Sequence, residues 1–144
     1  MSITAKRLTH MLGVARRCYD LAKEDGCDEA YCRRMFMLGF VHDIGYEFEE
    51  GPGHAAAGAM MLQSLKKDSE AVDAIAMHGL CTNNKNWSHQ LRLLNRADMA
   101  VDSEGSVVNV SQRLRDIGEH YGYDSTAYLC AKQVAECLEG SEDS

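Results

Sequence analysis

Proline is almost missing from this chain of 144 residues: Pro52 is the single one. Helices can therefore run without the steric and hydrogen-bond breaks that proline imposes. No two of the six cysteines, at 18, 27, 32, 81, 130 and 137, form a CxxC pair, which excludes a zinc-ribbon framework and a thioredoxin-type motif. Nowhere is there an apolar run long enough to span a bilayer, and the first twenty residues, with Lys6, Arg7, Arg16 and Arg17, lack the apolar stretch of an export signal. The expected place is the cytoplasm, without membrane association and with free thiols. Bases are outnumbered, 15 against 22 acids for a net charge of −7, which argues against a general grip on nucleic acid and leaves small anionic substrates open. Repeats, low-complexity tracts and linkers are also lacking. The chain reads as one domain over 1–140 followed by an acidic tail, 141–144, closing a stretch from Glu136 in which four acids meet no base. A homodimer is allowed.

What is present is helical. Alanine, leucine, methionine and glutamate recur with apolar residues spaced by three and four, which predicts seven helices in an all-α, single-domain bundle. The first spans about Thr4 to Glu24 with an arc through Leu8, Met11, Leu12, Ala15 and Cys18, and Gly26 ends it. Asp28 caps a second that reaches His42. A glycine-rich turn follows to Gly53, then helices over about His54–Lys66 and Ser69–His78, and an Asn-rich loop to Trp87. Ser88 caps a fifth that reaches Ala100. Two more, about Val107–Tyr121 and Ser125–Leu138, complete the set.

Ligand-type residues end the core-facing stripes. His42 follows Met35, Leu38 and Gly39 at helical spacing, with Asp43 beside it; His54 opens the stripe Ala57, Gly58, Met61. His78 closes the series Ala71, Ala74, Ile75, and Asp98 follows Leu91 and Leu94. His10, nearer the polar edge of the first arc, joins from the side. One inward histidine is usually a hydrogen-bonded core residue, but five such residues on four helices are hard to obtain independently, and a buried carboxylate needs a cation or several donors. Four imidazoles and two carboxylates suit Fe, Mn, Zn or Co better than Ca or Mg, and exceed what one tetrahedral ion needs. Six donors imply two metal ions, with Asp43 as bridge and a hydroxide between them as nucleophile.

This order, His10, His42-Asp43, His54, His78 and Asp98, resembles the HD-domain superfamily in its version with two extra histidines. The words LTHMLGVA, FVHDIGY, GHAAAG, AIAMHG and NRADMA carry the resemblance over about residues 4–103. The chain is most similar to small bacterial HD hydrolases that cleave dinucleoside tetraphosphates at a dinuclear iron centre. That resemblance implies a helical metal-dependent phosphohydrolase acting on a nucleotide or other small phosphorylated metabolite. It assigns His10, His42, His54, His78 and Asp98 as terminal ligands and Asp43 as bridge, so that Asp43 and His42 are the catalytic candidates. Two features depart: relatives often carry Lys where Tyr46 stands, and GLCTNNKNW follows His78 in place of the GYP-type motif of cyclic-di-GMP phosphodiesterases.

Lys85, Arg92 and Arg96 are the candidate anion contacts, and Tyr46 and Trp87 candidate stacking or packing residues. His89 and His120 read as surface residues, and the cysteines as buried small apolar ones. Two other classes use the same ligand order: mixed-valent di-iron oxygenases cleaving a C–C or C–P bond, and a metal-stabilised nucleotide sensor without catalysis.

Overall fold

The computed structural model describes residues 4–43, 55, 69–79 and 87–142. Among these, six helices form the architecture: α1 (Ala5–Glu24), α2 (Glu29–Val41), α3 (Ser69–Met77), α4 (His89–Asp98), α5 (Val110–Tyr121) and α6 (Thr126–Glu142). The all-α expectation holds. The helix predicted over His54–Lys66 lies outside the described residues except for Ala55, which is helical and buried.

The starts follow side-chain capping. Thr4, Asp28 and Ser88 accept from the backbone N–H groups of Arg7, Tyr31 and Leu91, each three residues on. Asn109 and Gln112 form a reciprocal capping box on α5. Buried Met11, Val14, Cys18, Leu21 on α1 and Cys32, Met35, Leu38 on α2 make one seam. Gly39 lets the two backbones approach: a Cβ there would sit 2.9 Å from the Ala15 Cα. α4 is the central helix, with Leu91, Leu93, Leu94 and Ala97 buried against α1, α2 and α3. α5 and α6 pack on each other.

Two details differ from expectation. The segment predicted to open a helix at Val107 instead pairs Val107 with Val101 as an isolated antiparallel bridge, and the helix waits for the Asn109 cap. Between the bridged residues the chain turns around the Asp102 carboxylate, which accepts from the Glu104 and Ser106 N–H groups. Gly105 at φ 85° completes the turn 2.6 Å, at an added Cβ, from the Thr9 carbonyl of α1. At the other end α6 continues to Glu142, past the expected stop at Leu138 and into the stretch read as tail. Trp87 is buried in the core, a packing residue. No helix among the described residues is long and apolar enough to cross a membrane.

Candidate metal centre

Five of the six ligand-type residues singled out in sequence converge. His10 lies on the buried face of α1, more deeply than its place at the edge of the apolar arc suggested. His42 and Asp43 form the turn that ends α2, His78 the turn that ends α3, and Asp98 the last residue of α4. His54 lies outside the described residues. Single ligand atoms of His10, His42 and Asp43 all fall within 4.8 Å of one another.

The three imidazoles share one device. His10 Nδ1 donates to the Asp102 carbonyl at 2.9 Å, His42 Nδ1 to the Gly39 carbonyl at 2.6 Å, and His78 Nδ1 to the Ile75 carbonyl at 2.5 Å. A carbonyl only accepts, so each Nδ1 carries the hydrogen and each Nε2 turns its lone pair to the centre. There the Nε2 atoms meet carboxylates, which also only accept. His10 Nε2 is 3.0 Å from Asp98 Oδ1, and His78 Nε2 is 3.3 Å from Asp43 Oδ1. His42 Nε2 lies 3.3 Å from Asp43 and 3.4 Å from Asp98, close but without hydrogen-bond alignment. Lone pairs facing lone pairs in a buried site demand positive charge between them, either protons on the rings or metal cations.

The electrostatics of the protein alone express the same demand. Burial pulls His42 towards neutrality, yet the Asp43 and Asp98 charges outweigh it and raise its pKa to about 10. Burial pushes Asp98 up, but His42, His10 and Arg113 hold it well below the carboxylate range. His42, fully buried with an orphaned Nε2, and two carboxylates within reach of three imidazoles form a donor set that fits Fe, Mn, Zn or Co.

Sequence reading missed two arginines. Arg7 lies 3.6 Å from Asp43 and donates to the Tyr121 hydroxyl at 3.3 Å. Its spacing of three from His10 put it on the same helix face, a signal that was available. Arg113 on α5 donates from Nε to the Asp98 carbonyl at 2.9 Å, sets a second nitrogen 3.4 Å from Asp98 Oδ1, and bonds Asp116 at 2.9 Å. Asp116 in turn accepts from the N–H and hydroxyl of Ser103. No local spacing announces Arg113, because it reaches Asp98 only through the return of the chain after the Val101–Val107 bridge.

The proposed anion contacts fare differently. Lys85 and Tyr46 lie outside the described residues. Arg92 and Arg96 share α4 with Asp98 but do not line the cavity beside it. Six and two residues from Asp98, they point roughly 120° and 160° away around the helix. His89, bonded to Tyr31 and Asp25, and His120 are both exposed, as read. Cys18 and Cys32 are buried, whereas Cys27, Cys130 and Cys137 are half buried.

A cavity of about 390 Å³ opens beside the cluster, with Asp43, His78, Asp98, Arg7 and Arg113 at one end. Chemically the arrangement is a cation-demanding donor set at one end of a recess, flanked by two guanidiniums suited to phosphate oxygens.

Comparison with known proteins agrees with this geometry. The family model described as HD domain matches residues 7–99. A ribonuclease Y of Cutibacterium acnes (strain DSM 16379 / KPA171202) is 38% identical over 74 residues. The match covers 49% of this chain and 13% of that protein, so the chain spans a small part of its relative's length. No solved structure matches.

Proposed function

From the premise that the chain belongs to the HD domain family, matched over residues 7–99, we propose that it is a metal-dependent phosphohydrolase acting on a nucleotide or other small phosphorylated metabolite. The observation that carries this reading is the meeting of three Nε2 lone pairs with two carboxylates in a buried site. His10, His42, His78 and Asp98 would hold the metal ions, with His54 as the sixth donor, and Asp43, within reach of all three imidazoles, would be the residue shared between them. Bound there, two divalent or mixed-valent ions would supply Lewis acidity towards the phosphoryl group and a nucleophile at neutral pH.

The chain's own residues do the rest. The Nδ1 bonds hold the rings in one tautomer and orientation. Arg113 and Asp102 fix Asp98 and His10 from outside the cluster. Arg7, lining the recess 3.6 Å from Asp43, is placed to hold a phosphate oxygen and offset its charge. The similarity to a ribonuclease Y supports phosphodiester or phosphoanhydride chemistry in general terms. The net charge of −7 favours a small substrate over a polynucleotide.

The test loads the purified protein with Mn or Fe and offers dinucleoside tetraphosphates, nucleoside mono- and triphosphates, sugar phosphates and a short RNA. Hydrolysis of at least one small compound, lost together with tight metal retention in Asp43→Ala, is expected. No product from any compound overturns the proposal, and cleavage of the RNA alone reassigns the chain to ribonuclease chemistry.

A further inference from the structure

The cavity divides by charge. Among the described residues, the charged side chains lining it, Arg7, Asp43, Asp98 and Arg113, stand with His78 at the end where the metal ligands meet. The opposite wall is one face of α6: Thr126, Ala127, Cys130, Ala131 and Val134, at successive helical spacings and uncharged throughout. Ile117 of α5 and Met99 extend it. Two alanines on that face leave depth where larger residues would fill the recess.

Among the described residues the hydroxyls lining this side are those of Tyr121, Ser125 and Thr126, and two of the three are engaged. Ser125 Oγ donates to the Gly122 carbonyl and accepts from the Tyr128 N–H, and the Tyr121 hydroxyl accepts from Arg7. A polyol lodged here would lose water from its hydroxyls and find few replacements, at a cost of roughly 1–3 kcal/mol for each group left unpaired. An apolar ring would instead gain about 25 cal/mol for each Å² removed from water.

We infer that the α6 face is a binding site for the organic part of the substrate, and that it selects phosphate esters whose organic group is uncharged and largely apolar over those of sugars and polyols. The inference rests on the phosphohydrolase reading for where the phosphoryl group sits. It goes beyond it because α6 lies outside the residues matched by the family model, 7–99, so this wall is not part of the shared ligand set. The recess, at about 390 Å³, is of the size that takes a small molecule.

Cys130 makes the site observable without turnover, since its half-buried free thiol lies on the proposed receptor face. The full chain, loaded with Mn, is alkylated with N-ethylmaleimide in the presence of naphthyl phosphate or glycerol phosphate, and modification of Cys130 and of Cys27, which is off the cavity, is followed by peptide mass mapping. Naphthyl phosphate is expected to slow alkylation of Cys130 about tenfold, glycerol phosphate to leave it unchanged, and neither to affect Cys27. Equal effects of the two esters on Cys130, or none, overturn the inference; if both are nevertheless hydrolysed, the phosphohydrolase reading stands. Selective protection without hydrolysis of either ester keeps the apolar site, and the phosphohydrolase reading then falls only if the nucleotide panel also yields no product. In a second arm, Cys130→Trp fills the recess and lowers kcat/KM for naphthyl phosphate about tenfold while glycerol phosphate changes less than about twofold. Equal losses for both overturn the selectivity.

Discussion

The helices α1–α4, with the turns that end them, carry every described member of the ligand set, whereas α5 and α6 carry none; yet this second pair holds Arg113 on Asp98 and walls the cavity. Chemistry that must coordinate a cation is written in residue types that few positions tolerate, and it shows in a single chain. The second pair needs only a guanidinium at the right distance and an uncharged face of the right depth. Both are common on helices and mean something only once the helix has been docked.

That contrast can be broken experimentally. Asp43→Ala should lower metal affinity more than about a hundredfold, because loss of an outer partner alone typically costs 10–100-fold; elemental analysis after dialysis and a titration of the metal-free protein measure it. Arg113→Ala, in the second region, should lower metal affinity by about 10–100-fold while far-ultraviolet circular dichroism stays unchanged, with Arg113→Lys recovering part of the loss. Unchanged affinity in Arg113→Ala would reduce α5 to a cover.

Smaller effects separate the regions by stability. Gly39→Ala drives a Cβ to 2.9 Å from the α1 backbone at Ala15 and should destabilise by about 1–3 kcal/mol in urea unfolding. Asn109→Ala removes the α5 capping box at a cost of about 1 kcal/mol, read by the same method. The smallest effect is a pH dependence at Asp116. Burial raises its pKa, but the Ser103 and Arg113 contacts outweigh this and lower it. A carboxylate depressed in the folded state contributes stability above its unfolded pKa, near about 3.9, and loses it as pH falls through the folded value. The stability gap between the wild type and Asp116→Asn should therefore be present at neutral pH and close in acid. A gap independent of pH would show that hydrogen bonding, not charge, holds Arg113.

Much of the first region was legible. His42, His78 and Asp98 end apolar stripes at helical spacing, and the structure brings all three to one point with His10 and Asp43. Reading went astray where spacing was used without phase. Arg92 and Arg96 share a helix with Asp98, but residues two and six apart face away from it. Arg7, three residues before His10, satisfied the rule and was overlooked. Val107 looked helical by composition, and only its pairing with Val101 holds it extended.

By itself the sequence determined the all-helical architecture, because caps and apolar periodicity are local, and the convergence of His42, His78 and Asp98, because each ends a stripe that must face the core. Tertiary structure alone decided which carboxylate meets which imidazole, that Arg113 secures Asp98, and that α6 offers the cavity an uncharged wall. Those outcomes depend on how α1–α4 converge and how α5 and α6 return to the cluster, a long-range packing that no spacing along the chain encodes.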